Sequence, residues 1–199
     1  MIDMIEKLLK DSDCKVIKTD ERIEIFPRSE LYPEDCITIE EETLSGLFTV
    51  FEVHRQEKQI KATTTKGDEA YLYAAISYKR LFEIDVDRKK AREIRNLINL
   101  EKPKEALSFV VSDFQRSIYS IGCEEQSKIS LIETADKVGV KYNGKYILES
   151  TSLTQGYVTF YNYCKKLQHI ITFCDEIQKS FKLDINRENV IILYIFGKL

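Results

Sequence analysis

Between Leu47 and Val53 the side chains alternate, with Leu47, Thr49, Phe51 and Val53 on one side and Phe48, Val50 and Glu52 on the other. From Tyr71 to Phe82 the pattern changes, and Tyr71, Ala75, Tyr78 and Phe82 recur every three or four positions. A period of two marks a half-buried strand and a period near 3.6 marks an amphipathic helix. The chain makes this switch twice. That restricts it to an α+β architecture, antiparallel sheet with helices packed on one face.

The first half reads in order. Ile2, Ile5, Leu8 and Leu9 form a short helical stripe over 2–10. Cys14 to Lys18 and Arg22 to Phe26 flank Thr19-Asp20-Glu21 as a hairpin. Pro27 and Pro33 bracket a stretch expected at an edge or outside the sheet. Cys36 to Ile39 alternates, and Gln59 to Thr64 completes the antiparallel run after a turn at Arg55-Gln56-Glu57-Lys58. Asp68 is placed to cap the helix that follows.

Asp85 to Arg88 is the predicted boundary, giving segments 1–84 and 85–199. Helices are expected over Arg88–Leu100 and Lys104–Arg116, with Pro103 at the start of the second. Strands follow at Lys128–Thr134, Lys137–Tyr142 and Lys145–Glu149, the last two joined by Asn143-Gly144, a strong hairpin signal. Gln155 to Phe181 reads as a long helix with Tyr157, Phe160, Cys164, Leu167, Ile171 and Cys174 along one stripe. The apolar run Val190 to Phe196 is expected as a terminal strand buried on both faces. The order helix, strands, helix therefore occurs twice. Two similar α-β-α modules and one continuous sheet both remain open.

Composition removes several function classes. No window reaches the run of about 20 apolar residues that spans a bilayer, so no membrane partner is expected. The first ten residues interleave charges with apolar side chains, unlike a secretory signal, and the expected location is cytoplasmic. The five cysteines include no CxxC pair. Cys164 and Cys174 are ten residues apart on one expected helix, about 15 Å of rise, too far to share a ligand atom. Reduced, mostly buried thiols are the ordinary reading.

Catalytic motifs are scarce. The chain has two histidines, His54 and His169, and only 7 glycines in 199 residues. Neither a nucleophile elbow nor a phosphate-cradling Gly loop can be found, so no catalytic residue, metal ligand or cofactor is assigned. One arrangement offers an alternative. Asp35 and Glu52 on neighbouring strands, with His54 nearby, could hold a divalent ion as in a metal-dependent nuclease.

Charge runs point to partners. Glu34, Asp35, Glu40, Glu41 and Glu42 flank one strand and could present an acidic face to a basic protein, although a solvated loop is the plain alternative. Tyr73 falls off the apolar stripe of its helix and is expected on the same binding surface. Arg88, Lys89, Lys90, Arg92, Arg95, Lys102 and Lys104 form a basic cluster, with Arg88, Arg92 and Arg95 on one helix face. They allow a nucleic-acid-binding regulatory module. The net charge of −3 makes nucleic acid the less expected partner.

The strand series Arg22 to Thr64, followed by the aromatic helix Asp68 to Phe82, resembles the small immunity proteins of bacterial polymorphic-toxin systems. The resemblance covers less than half of the chain. It implies a cytosolic, catalytically silent protein that neutralises a toxin partner by binding it, and it carries no position-by-position set of binding residues.

Overall fold

The computed structural model describes residues 2–20, 22–30, 33–83, 87–181 and 185–199. In chain order the elements are α1 (Ile2–Leu8), β1 (Cys14–Lys18), β2 (Arg22–Pro27), β3 (Asp35–Glu42), β4 (Leu47–His54), β5 (Glu57–Thr64) and α2 (Gly67–Phe82). Then come α3 (Arg88–Asn99), α4 (Pro103–Val111), β6 (Tyr119–Ile121), β7 (Ile129–Glu133), β8 (Val138–Tyr142), β9 (Lys145–Ser150), α5 (Leu153–Phe181) and α6 (Arg187–Phe196). This is an α+β fold. Two compact units divide it, Met1–Ile84 with Phe173–Leu199, and Asp85–Thr172.

In the first unit β1 to β5 form an antiparallel meander in sequence order. Each turn is local, so each strand pairs with the one before it. The register sets Ile23 opposite Ile39, Ile25 opposite Ile37 and Ile39 opposite Val50. These side chains share one face, are almost fully buried, and meet α2. Arg55 and Gln56, both at positive φ, make the β4–β5 turn. A bulge follows. Val50 faces Ala62 and Phe51 faces Ile60, so Lys61 is the extra residue and its side chain is re-aimed.

α2 is buried along ten consecutive residues, Ala70 to Lys79. The stripe expected from its sequence covers the sheet, and α1 and α6 pack on it as well. A helix held from several directions is apolar all round. Its start differs from expectation. Asp68 lies in the first turn, Lys66 takes the cap position without a side-chain cap, and the Thr64 hydroxyl donates to Glu69 at 2.8 Å.

The expected terminal strand Val190–Phe196 is helix α6, a correction. Asn186 caps it by accepting from the Asn189 N–H at 3.1 Å, and Gly197 closes it at φ +81°. Both signals stand in the sequence at the two ends of the apolar run. The run lacks alternation because it is a helix buried on most sides, with Val190 and Leu193 fully covered.

In the second unit β7, β8 and β9 are antiparallel, while β6 lies parallel to β7. The sheet is therefore mixed, where an antiparallel one was expected. A hydrogen bond of 2.8 Å between the buried Ser120 and Ser130 hydroxyls ties the short parallel pair. Asn143 and Gly144, both at positive φ, make the expected tight turn. The start of α5 lies against β8: a Cβ at Gly156 would stand 2.4 Å from Val138 Cγ1, so only glycine permits this approach. Tyr157, Phe160, Cys164 and Leu167 are buried as expected, and Ile170 replaces Ile171 on the stripe. α4 stops at Val111, short of Arg116, where the Ser112 hydroxyl donates to the Phe109 carbonyl.

Candidate functional site

The acidic segment is β3 itself. Eight residues of strand at about 3.3 Å each put Asp35 and Glu42 more than about 20 Å apart, so the acids occupy two ends and not one face. Most have nearby donors. Arg55 Nε donates to Glu34 at 3.0 Å, His54 Nδ1 pairs with Asp35, and Lys58 pairs with Glu40. Glu42 accepts from the Ser45 hydroxyl. Glu41 lies at the mouth of a shallow cleft of about 280 Å³ with Phe48 and Tyr71. Burial first, and then the Glu41 charge, push the Tyr71 hydroxyl up. The register sets His54 of β4 opposite Asp35, while Arg55 of the following turn reaches Glu34 and Lys58 of β5 reaches across β4 to Glu40.

Tyr73 is a correction to the expected surface. It is 3% exposed, inside the all-round burial of α2, and offers no area to a partner.

Asp35 and Glu52 lie on the same sheet face two positions out of register. Glu52 receives Lys61 Nζ at 3.0 Å and Arg80 at 3.6 Å, while Asp35 receives His54. The bulge turns Lys61 toward Glu52, a pairing that alternation alone does not reveal. Each carboxylate is thus engaged by a side chain of the fold, Glu52 by two cations and Asp35 by the His54 ring. Among the described residues no group of three His, Cys, Asp or Glu is arranged to hold a metal ion. His169 is exposed on α5.

All five cysteines are free. Cys14, Cys164 and Cys174 are buried, and burial pushes the Cys174 thiol up to about 11. A thiol held protonated is a poor nucleophile at neutral pH.

The opposite sheet face, which points away from α2, is mixed. Phe51 stands directly across from Ile60, and Val53 from Cys36. Phe51, Val53 and Cys36 are half-buried and Ile60 is 61% exposed. Lys58 lies 5.2 Å over the Phe51 ring while bonded to Glu40, forming a charged rim. The sequence showed the alternation here, but not which face would be covered.

In the second unit the basic cluster separates into two groups. Lys90 is 9% exposed, bonds Asp113 at 2.8 Å and lies 3.7 Å over the Phe109 ring. Burial favours the neutral acid at Asp113, yet the Lys90 hydrogen bond and charge outweigh it and hold the carboxyl below its ordinary value. The Tyr161 hydroxyl donates to Asp113 at 3.3 Å and reaches Asp87 at 3.5 Å. Burial and then these acids raise its pKa. Arg88, Lys89, Arg92 and Arg95 point outward instead, lining an open pocket of about 560 Å³ floored by Ala91 and Val158. Lys102 is tied to Glu105 at 3.0 Å.

Comparison with known proteins returned no matching family model, no matching curated protein and no matching solved structure. No helix among the described residues is long and apolar enough to cross a membrane.

Proposed function

We propose that this chain is a non-catalytic protein-binding module, and that its partner docks on the sheet face carrying Phe51 and Ile60. The observation that carries this is Ile60, a large aliphatic side chain 61% exposed and paired across the strands with a half-buried phenylalanine. An apolar centre with a charged rim is the anatomy of a protein interface. Lys58 and Glu40 of that rim already satisfy each other, so the partner presents apolar surface at its centre and no excess of one charge. The likeness of residues 22–82 to immunity proteins supports a toxin domain as that partner.

The test is affinity purification of the tagged chain from its native cell, run beside Ile60→Glu and beside Glu40→Lys/Glu41→Lys/Glu42→Lys. A stoichiometric toxin-like protein kept by the triple variant and lost from Ile60→Glu is the expected result. Loss from the triple variant alone returns the site to the acidic segment. No partner in any sample overturns the reading.

A further inference from the structure

Four cations project from one side of α3 with no carboxylate among the described residues to meet them. Arg88, Lys89, Arg92 and Arg95 are all exposed. None joins an ion pair among the described residues, and Asp87, beside them, caps the helix by accepting from the Lys90 N–H at 2.8 Å and also accepts from Tyr161. The arrangement is locally unfavourable. Like charges at i,i+3 and i,i+4 repel, and cations near a helix N-terminus face the positive end of its dipole. The first turns of α2, α4 and α6 each carry an acid and that of α5 carries no charge, whereas the first turn of α3 carries Arg88 and Lys89 with no acid after its cap residue Asp87. Repulsion among these four cations, relieved by no ion pair among the described residues, points to a counter-charge supplied from outside.

The same face continues with Asn96 and Asn99, both exposed. At 100° per residue, Arg88, Lys89, Arg92, Arg95, Asn96 and Asn99 fall within about a third of the helix circumference. Their span is about 17 Å of axis, close to five base-pair steps of duplex. Arginine matches the guanine edge in the major groove and asparagine the adenine edge, and that groove is wide enough to admit a helix. No aromatic residue lies on the face, so the stacking that single strands need is missing. The major groove of duplex RNA is too narrow for side chains to read.

We propose that this face of α3 binds duplex DNA, with Arg88, Lys89, Arg92 and Arg95 on phosphates or guanine edges and the two asparagines directed to the bases. The surface lies in the second compact unit and owes nothing to the sheet face argued above. Its failure leaves that reading intact, and the reverse holds too.

The experiment is fluorescence anisotropy with a labelled mixed-sequence duplex about two helical turns long, titrated at several salt concentrations. With three or four phosphates neutralised, log K should fall against log salt with a slope of about −3. Arg92→Glu/Arg95→Glu should weaken binding at least about tenfold and cut the slope by about two. Lys7→Glu on α1 with Lys10→Glu just after it changes net charge equally and should change neither quantity, and circular dichroism checks that both variants are folded. No binding at low salt, or equal loss in both double variants, overturns the proposal. So does tighter binding of a single strand, of duplex RNA or of poly-glutamate, the last reassigning the face to an acidic protein.

Discussion

On and beside β3 three acids have basic partners, Glu34 with Arg55, Asp35 with His54 and Glu40 with Lys58, while on α3 four bases stand together with no ion pair among the described residues. Sequence composition treats the two runs alike, since each is a local excess of one charge. Geometry separates them. The sheet and its β4–β5 turn bring partners to Glu34, Asp35 and Glu40, so these acids are met within the fold. A helix offers only i,i+3 and i,i+4 neighbours, and on α3 these set Arg88 beside Arg92, Lys89 beside Arg92 and Arg92 beside Arg95. The difference teaches that a charge run indicates a partner only after its internal partners have been counted.

The comparison can be broken most forcefully within α3. Lys90 is the one paired and buried cation of that helix, so Lys90→Ala leaves Asp113 without its base and uncovers the Phe109 ring. The expected loss is about 2 kcal/mol in chemical denaturation, from the lost packing and charge over Phe109 more than from the pair with the exposed Asp113, against a near-zero change for Arg92→Ala. A similar cost for both would erase the distinction. The pair also carries a pH signature. The folded Asp113 pKa lies below its unfolded value, so its stabilisation is complete above the ordinary aspartate pKa of about 3.9 and is lost as pH falls through the folded value. Asp113→Asn should flatten that acid limb of the stability curve, and an unchanged limb would refute the assignment.

In the first unit the strongest internal pairing is Glu52 with Lys61, whose side chain is 10% exposed, and with Arg80. Glu52→Ala should cost about 2 kcal/mol by urea unfolding, because it strands a nearly buried ammonium. Should Glu52→Ala prove neutral, the claim that this sheet satisfies its charges internally would fail at its best-covered site.

The smallest effects have opposite signs. Arg92→Glu should stabilise the protein by about 0.5 kcal/mol, through relief of repulsion and a better match to the helix dipole. Glu34→Ala breaks an exposed pair with Arg55 and should cost less than about 0.5 kcal/mol. A melting temperature that rises in the first variant and slips in the second sharpens the contrast between the two runs. Movement of both in one direction removes it.

Much of the architecture was legible because it is written locally. The β4 alternation, the Asn143-Gly144 turn and the α5 stripe each depend on neighbours within a few residues, where side-chain direction follows from backbone period. The outward face of α3 was legible for the same reason. The sheet interface was not, since alternation names two faces without saying which one a helix will cover. Val190–Phe196 misled because an apolar run has no period to read, and only Asn186 and Gly197 marked it as a helix. Tyr73 misled because a residue off the main stripe is exposed only if the helix has a wet side, and α2 has none along its middle turns.

The α+β class, the paired strands of the meander and the charged face of α3 all follow from short-range spacing along the chain. Tertiary structure settled that Asp35 would meet His54 and Glu40 would meet Lys58, that a bulge would send Lys61 to Glu52, and that Tyr73 would be buried. Those outcomes depend on register and on which surfaces close over one another, and such long-range choices are made by the burial of the whole core.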